Sequence, residues 1–196
     1  MTTKYSRTPG RPRQFDPAQA IETAQHLFHS RGYDAVSVAD LTKAFGINPP
    51  SFYAAFGSKL GLYTHVLNRY RITDAIPFEA LLRHDRPTAK CLIDVLMEAA
   101  RRYVADPDAT GCLVLEGAHC NDKPARDAAC EFYIAAENRI RAYVAMRNPQ
   151  EADRMTDFMG VLMAGLSSRA RAGYSLERLQ ETVLLARDVL ERLLPD

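Results

Sequence analysis

No stretch of this 196-residue chain approaches the roughly 20 apolar residues that a membrane-crossing helix needs, and no apolar signal region stands at its start. The expected setting is the cytoplasm, with no membrane partner. The four cysteines, Cys91, Cys112, Cys120 and Cys130, form no Cys-x-x-Cys pair and have no clustered histidines. That argues against a zinc site and, in a reducing compartment, against disulfides. No Gly-rich phosphate loop sits on a strand–helix unit and no His-Glu-x-x-His pair occurs, so neither an enzyme nor a bound metal or cofactor is expected. His119, Cys120 and Asp122 offer base, nucleophile and acid, but sequence neighbours seldom assemble a triad. Internal repeats, low-complexity tracts and strand-like alternation are missing as well. Acid is absent from residues 1–14, which carry Lys4, Arg7, Arg11 and Arg13, whereas acids outnumber bases from Leu62 onward. A basic tip on a mildly acidic body points to a polyanion partner at one end only.

What is present is helical pattern. At 47% hydrophobic the chain can bury a sizeable core as one large domain or two small ones. Asp16 is placed to cap a first helix with Pro17 at its first position and Gln19 as capping-box partner. Ala20, Ile21, Ala24, Leu27 and Phe28 then share one face, and Gly32 supplies the stop. Ser37, with Asp40 three residues on, opens "SVADLTKAF"; Ser58 opens a fourth helix carrying Leu62, Val66 and Tyr70. Longer helices follow: one running to Asp106-Pro107, a short one in "GCLVLEGAHCN", and a long one stopped by Pro149. A further helix is capped by Asn148-Pro149 with Glu151 and ended by Gly173, and a last one is capped by Ser175. These signals predict an all-α protein of about nine helices.

Helices two and three, separated by a tight turn at Gly46, have the layout of a helix-turn-helix, with Val38, Leu41, Phe45, Ile47, Phe52 and Phe56 as its small core. In that geometry the start of the third helix meets base edges. Here it reads "NPPSFYAAF", almost without charge. Asn48 is placed to cap it, leaving Pro49 and Pro50 in the first turn, where missing N–H groups cost little. Such a tip reads by shape and apolar contact, with hydrogen bonding left to Asn48, Ser51 and Tyr53. Charge comes from the flanks: Lys43, Lys59 and the arm residues Arg11 and Arg13, placed for phosphate or the minor groove.

The segment from Gly10 to Tyr63 resembles the DNA-binding region of the TetR/AcrR family of bacterial transcriptional regulators. The matching features are Phe28 with Gly32-Tyr33, Ser37-Val38 with Leu41, Gly46-Ile47-Asn48, Ser51-Phe52-Tyr53 with Phe56, and Ser58-Lys59. The resemblance implies phosphate contacts from Ser37, Tyr53 and Lys59, and base-facing positions at Pro49, Pro50, Ser51 and Ala54. Pro49-Pro50, Ala54-Ala55 and Thr42 depart from the commonest pattern, which bears on the operator sequence rather than on DNA binding.

It also implies a helix-turn-helix domain with its basic arm over residues 1–60 and a larger helical domain over 61–196 for effector binding and dimerisation. The partners would be a palindromic double-stranded operator, a second copy held through the last two helices, and a small-molecule effector that releases a repressor. Met155, Phe158, Met159, Leu162, Met163 and Leu166 stripe the first of those helices; Leu176, Leu179, Val183, Ala186, Val189, Leu190 and Leu193 stripe the second. Such stripes are either internal core or dimer surface, and the resemblance favours the latter. Candidate effector contacts are Leu81, Met97, Arg101, Leu113, Glu116, Tyr133, Glu137, Phe158 and Leu162, mostly apolar with a few polar groups. An alternative is a redox-sensing regulator built on Cys120, whose "AHCND" setting looks exposed and whose neighbour His119 could lower the thiol pKa.

Overall fold

The computed structural model describes residues 15–195, and Arg11 and Arg13 lie outside them. The described residues contain helix and no strand. In order they are α1 (Pro17–Arg31), α2 (Val38–Phe45), α3 (Pro49–Phe56), α4 (Lys59–Thr73), α5 (Phe78–Leu81), α6 (Thr88–Tyr103), α7 (Leu113–Gly117) and α8 (Lys123–Ala145). After a 3-10 turn at Pro149–Glu151 come α9 (Ala152–Arg171) and α10 (Leu176–Leu193). Each expected helix is there, and the single turn α5 is added. None of the described helices is long and apolar enough to cross a membrane.

The capping chemistry explains most boundaries. Asp16, Ser37, Asn48, Ser58 and Ser175 each accept a backbone N–H from the first turn of the helix they open. Ser37 and Asp40 form the reciprocal capping box. Asn148 departs from expectation: the chain enters α9 through the 3-10 turn, so its side chain makes no capping bond. α6 ends at Tyr103, three residues short of Asp106, because Val104 leaves helical geometry.

The apolar side chains fall into two clusters. One joins Ala20, Ala24 and Phe28 of α1 to Leu41, Phe52 and Phe56, and then to Leu62, Tyr63, Val66, Leu67 and Tyr70 of α4. It reaches on to Leu113, Cys120 and Ala125. The other is built from α6, α8, α9 and α10. Cys112 packs against both. Within the second cluster α10 lies along α6, so Leu179, Val183, Ala186 and Leu190 are buried inside the protomer, as are Met155, Met159 and Leu166 of α9. Half of the α9 stripe and four of the seven α10 positions are thus buried core, and Phe158, Leu162 and Met163 pack half-buried against it. The apolar side chains that α9 and α10 leave exposed are others: Val161, Leu184 and Leu185.

Candidate nucleic-acid interface

The α2–α3 turn is set by Gly46. Its φ of 68° lies in the left-handed region that glycine enters at no steric cost, and Ile47 N–H bonds back to Thr42 O at 3.1 Å. Phe52 and Phe56 then hold the inner face of α3 against α1, α2 and α4, their ring centroids 5.6 Å apart. The opposite face of α3, with Pro49, Pro50, Ser51, Tyr53 and Ala54, is exposed. Tyr53 leans edge-on against Phe52 at 5.4 Å and leaves 51% of itself to solvent.

The two prolines change what this helix start can do. A helix leaves its first four N–H groups without internal partners, and such a cluster attracts phosphate. In α3, Pro49 and Pro50 have no N–H, and Ser51 N–H is taken by Asn48 Oδ1 at 2.9 Å. The tip therefore presents a stiff, mostly apolar surface with few free donors, suited to groove shape and thymine methyls rather than to phosphate.

α4 begins differently. Ser58 Oγ satisfies only Gly61 N–H, leaving the amides of Lys59 and Leu60 at a helix N-terminus. The Lys59 ammonium does not reach outward; it sits 3.9 Å over the Tyr33 ring. Burial pushes its pKa down, with Asp34 and Asp122 pulling it back up. Lys43 and Ser37 are exposed, and Thr42 is buried with its hydroxyl donated to Ala39 O.

Several contacts tie this head to the rest of the protein. Asp34 accepts Asn121 N–H at 2.6 Å, joining the α1–α2 loop to the α7–α8 loop. His29 bonds Gly111 O through Nε2, and Arg171 of α9 donates to His29 O at 3.2 Å while pairing with Glu116. Tyr63 packs against Gly117, where no side chain larger than hydrogen fits.

Between α4, α6, α7, α8 and α9 lies a cavity of about 180 Å³. Of the predicted effector contacts, Tyr133 and Glu137 line it. Leu81, Met97, Phe158 and Leu162 instead pack on the second apolar cluster, and Leu113 is buried in the first. Arg101 pairs with Glu98 beside a separate polar cleft, and Glu116 pairs with Arg171. Tyr70, Tyr103, Cys112, Phe78 and Met163 line the cavity and were not predicted. The legible signal was the placement of Tyr70 and Tyr103 within otherwise apolar helical stripes.

Cys120 corrects an expectation. It is buried, its thiol donates to Asp122 O at 3.4 Å, and burial with the nearby charges of Asp34 and Asp122 pushes its pKa up. His119 stays exposed to solvent. A raised pKa and restricted access both disfavour the reactive thiolate, so the redox reading loses its basis.

Residues 20–66 match the family described as bacterial regulatory proteins, tetR family. Over its full length the chain is 53% identical to all of the HTH-type transcriptional repressor BdcR of Escherichia coli K12. It is 30% identical to the HTH-type transcriptional repressor ComR of the same organism over 183 residues, covering 88% of this chain and 87% of ComR. Among solved structures it resembles a cysteine mutant of the TetR family transcriptional regulator CifR complexed with 26-base-pair double-strand operator DNA. That likeness has a TM-score of 0.82 at 28% identity, covering 91% of this chain and 98% of CifR.

Proposed function

The chain belongs to the tetR family of bacterial regulatory proteins, and from that premise we propose that it is a homodimeric transcriptional repressor that a small molecule releases from a palindromic operator. The observation that carries the reading is the α2–α3 unit. Phe52 and Phe56 bury one face of α3, so its proline-stiffened opposite face stands clear of the protein. Full-length similarity to a protein named as a repressor supports repression over activation.

In this reading Pro49, Pro50, Ser51, Tyr53 and Ala54 meet the groove, and Asn48 holds the tip. Ser37, Lys43, the arm residues Arg11 and Arg13, and the α4 amides of Lys59 and Leu60 hold phosphate. Residues 1–60 form the reading head, and residues 61–196 carry effector binding and dimerisation. Val161, Leu184 and Leu185 are the exposed apolar groups on α9 and α10 that a second copy would cover. A two-fold dimer sets two heads on half-sites one helical turn apart, or a multiple of it. A repressor acting on bacterial chromosomal DNA would work in the cytoplasm.

The switch runs through α4. Its start adjoins the reading head and its end supplies Tyr70 and Asp74 to the cavity about 16 to 22 Å away, so one rigid helix touches both sites. An effector acts by binding the released state more tightly than the DNA-bound one, and by no other means. The test is a salt-dependent gel-shift titration on DNA upstream of this protein's own gene, followed by selection from a random duplex pool. Tight binding that falls steeply with salt, on an enriched palindrome, is expected. A pool that enriches no sequence would overturn the proposal.

A further inference from the structure

The chemistry of the cavity narrows what can occupy it. Its most buried polar lining side chains, Tyr70 and Tyr103, meet at Cys112 and mark its deep end, with Phe78, Ile140 and Met163 among the apolar walls. Tyr70 Oη donates to Cys112 Sγ at 3.6 Å. Tyr103 Oη is wholly buried and makes no hydrogen bond of good geometry among the described residues; its polar neighbour is the Cys112 sulfur. The Cys112 sulfur beside it is a weak acceptor already engaged by Tyr70. An unmade hydrogen bond at a buried hydroxyl is costly, so this end lacks an acceptor.

Burial pushes both tyrosine hydroxyls well above their ordinary pKa, which keeps them protonated donors. Among the described residues no cation stands beside the Tyr70 and Tyr103 hydroxyls to receive an anion. At the mouth Arg102 is held by Glu98 at 2.6 Å and donates to Asp74 O, Arg139 pairs with Glu79, and Arg71 is exposed to water. A carboxylate driven to the floor would lose its hydration without a charged partner. Size sets the last limit: an apolar cavity of about 150 Å³ admits benzene, so one of about 180 Å³ admits a single ring with a short substituent.

We propose that the cavity binds uncharged, largely apolar molecules about one ring in size, whose carbonyl, ether or hydroxyl oxygen accepts the Tyr103 hydroxyl at its closed end. This assignment rests on the reading of the cavity as the effector site. It is tested without DNA, so failure of operator binding and failure of the ligand class are read separately.

The experiment is calorimetric titration of the full chain, wild type and Tyr103→Phe, with acetophenone, ethylbenzene and benzoate. Wild type should bind acetophenone about tenfold more tightly than ethylbenzene, the worth of one neutral hydrogen bond to an otherwise unpartnered donor, and more tightly than benzoate. Tyr103→Phe should bring the acetophenone-to-ethylbenzene ratio to about one while leaving ethylbenzene affinity and the melting temperature in place. A purely structural hydroxyl would not alter that ratio. The proposal is overturned by a ratio that survives Tyr103→Phe, by preference for benzoate, or by the absence of saturable acetophenone binding.

Discussion

Substitution of Asn48 separates the stability of the reading tip from its fit to DNA. Asn48 Oδ1 is the side-chain acceptor at the start of an eight-residue helix whose two preceding N–H positions are prolines. Asn48→Ala exposes Ser51 N–H and should cost about 1 kcal/mol of folding stability, lowering Tm by about 2–4 °C. Asn48→Asp keeps the acceptor and places a negative charge at the positive end of the helix, adding about 0.3–1 kcal/mol. Its thermal melt should match or exceed wild type. Against DNA the sign reverses. A carboxylate about 6 Å from a phosphate is repelled by about 0.7 kcal/mol even in bulk water, and the two heads of a dimer double this to about tenfold in affinity. The loss should shrink as salt is raised. Melting curves and salt-dependent gel shifts on one operator supply both readouts. Wild-type affinity in a well-folded Asn48→Asp protein would refute the placement of the α3 tip against DNA. An unchanged Tm in Asn48→Ala would refute the energetic role of the cap.

Three further expectations follow from the joints and surfaces. A Cβ at Gly117 would overlap the Tyr63 hydroxyl, so Gly117→Ala should cost about 2 kcal/mol, or about 6 °C in Tm. Adding Tyr63→Phe, which removes that hydroxyl, should restore part of the loss in a double-mutant cycle. Burial lowers the pKa of His29, so the folded state resists a proton that the unfolded chain takes at about pH 6.5. Stability from this group is complete above that pH and falls below it. Urea midpoints of His29→Gln should decline less steeply than wild type on acidification, and an equal slope would count against the argument. Leu185 is 79% exposed, so Leu185→Arg should leave the core intact yet shift sedimentation from dimer to monomer. A persistent dimer would place the interface elsewhere.

Much of the fold was legible from neighbours in sequence, because its causes act over three or four residues. Side-chain oxygens at Asp16, Ser37, Asn48, Ser58 and Ser175 satisfy first-turn amides, and Gly46 takes the left-handed turn. Periodicity told which side of each helix turns inward, which sufficed for the reading head built around Phe52 and Phe56. It did not tell what each inward face meets. Met159 and Val183 became internal core because α9 and α10 pack on α6, which leaves Val161 and Leu185 as apolar side chains exposed on those helices. Lys59 swung onto Tyr33, and Cys120 was covered by packing against the α1 and α4 cluster. The cavity is the clearest case. A void is what remains where helices far apart in the chain fail to fill the space between them. So the sequence alone determined the helices, their caps and the DNA-facing unit. Only the packing of α4, α6, α7, α8 and α9 decided that Tyr103 would end buried at the floor of an opening, its hydroxyl lacking a partner.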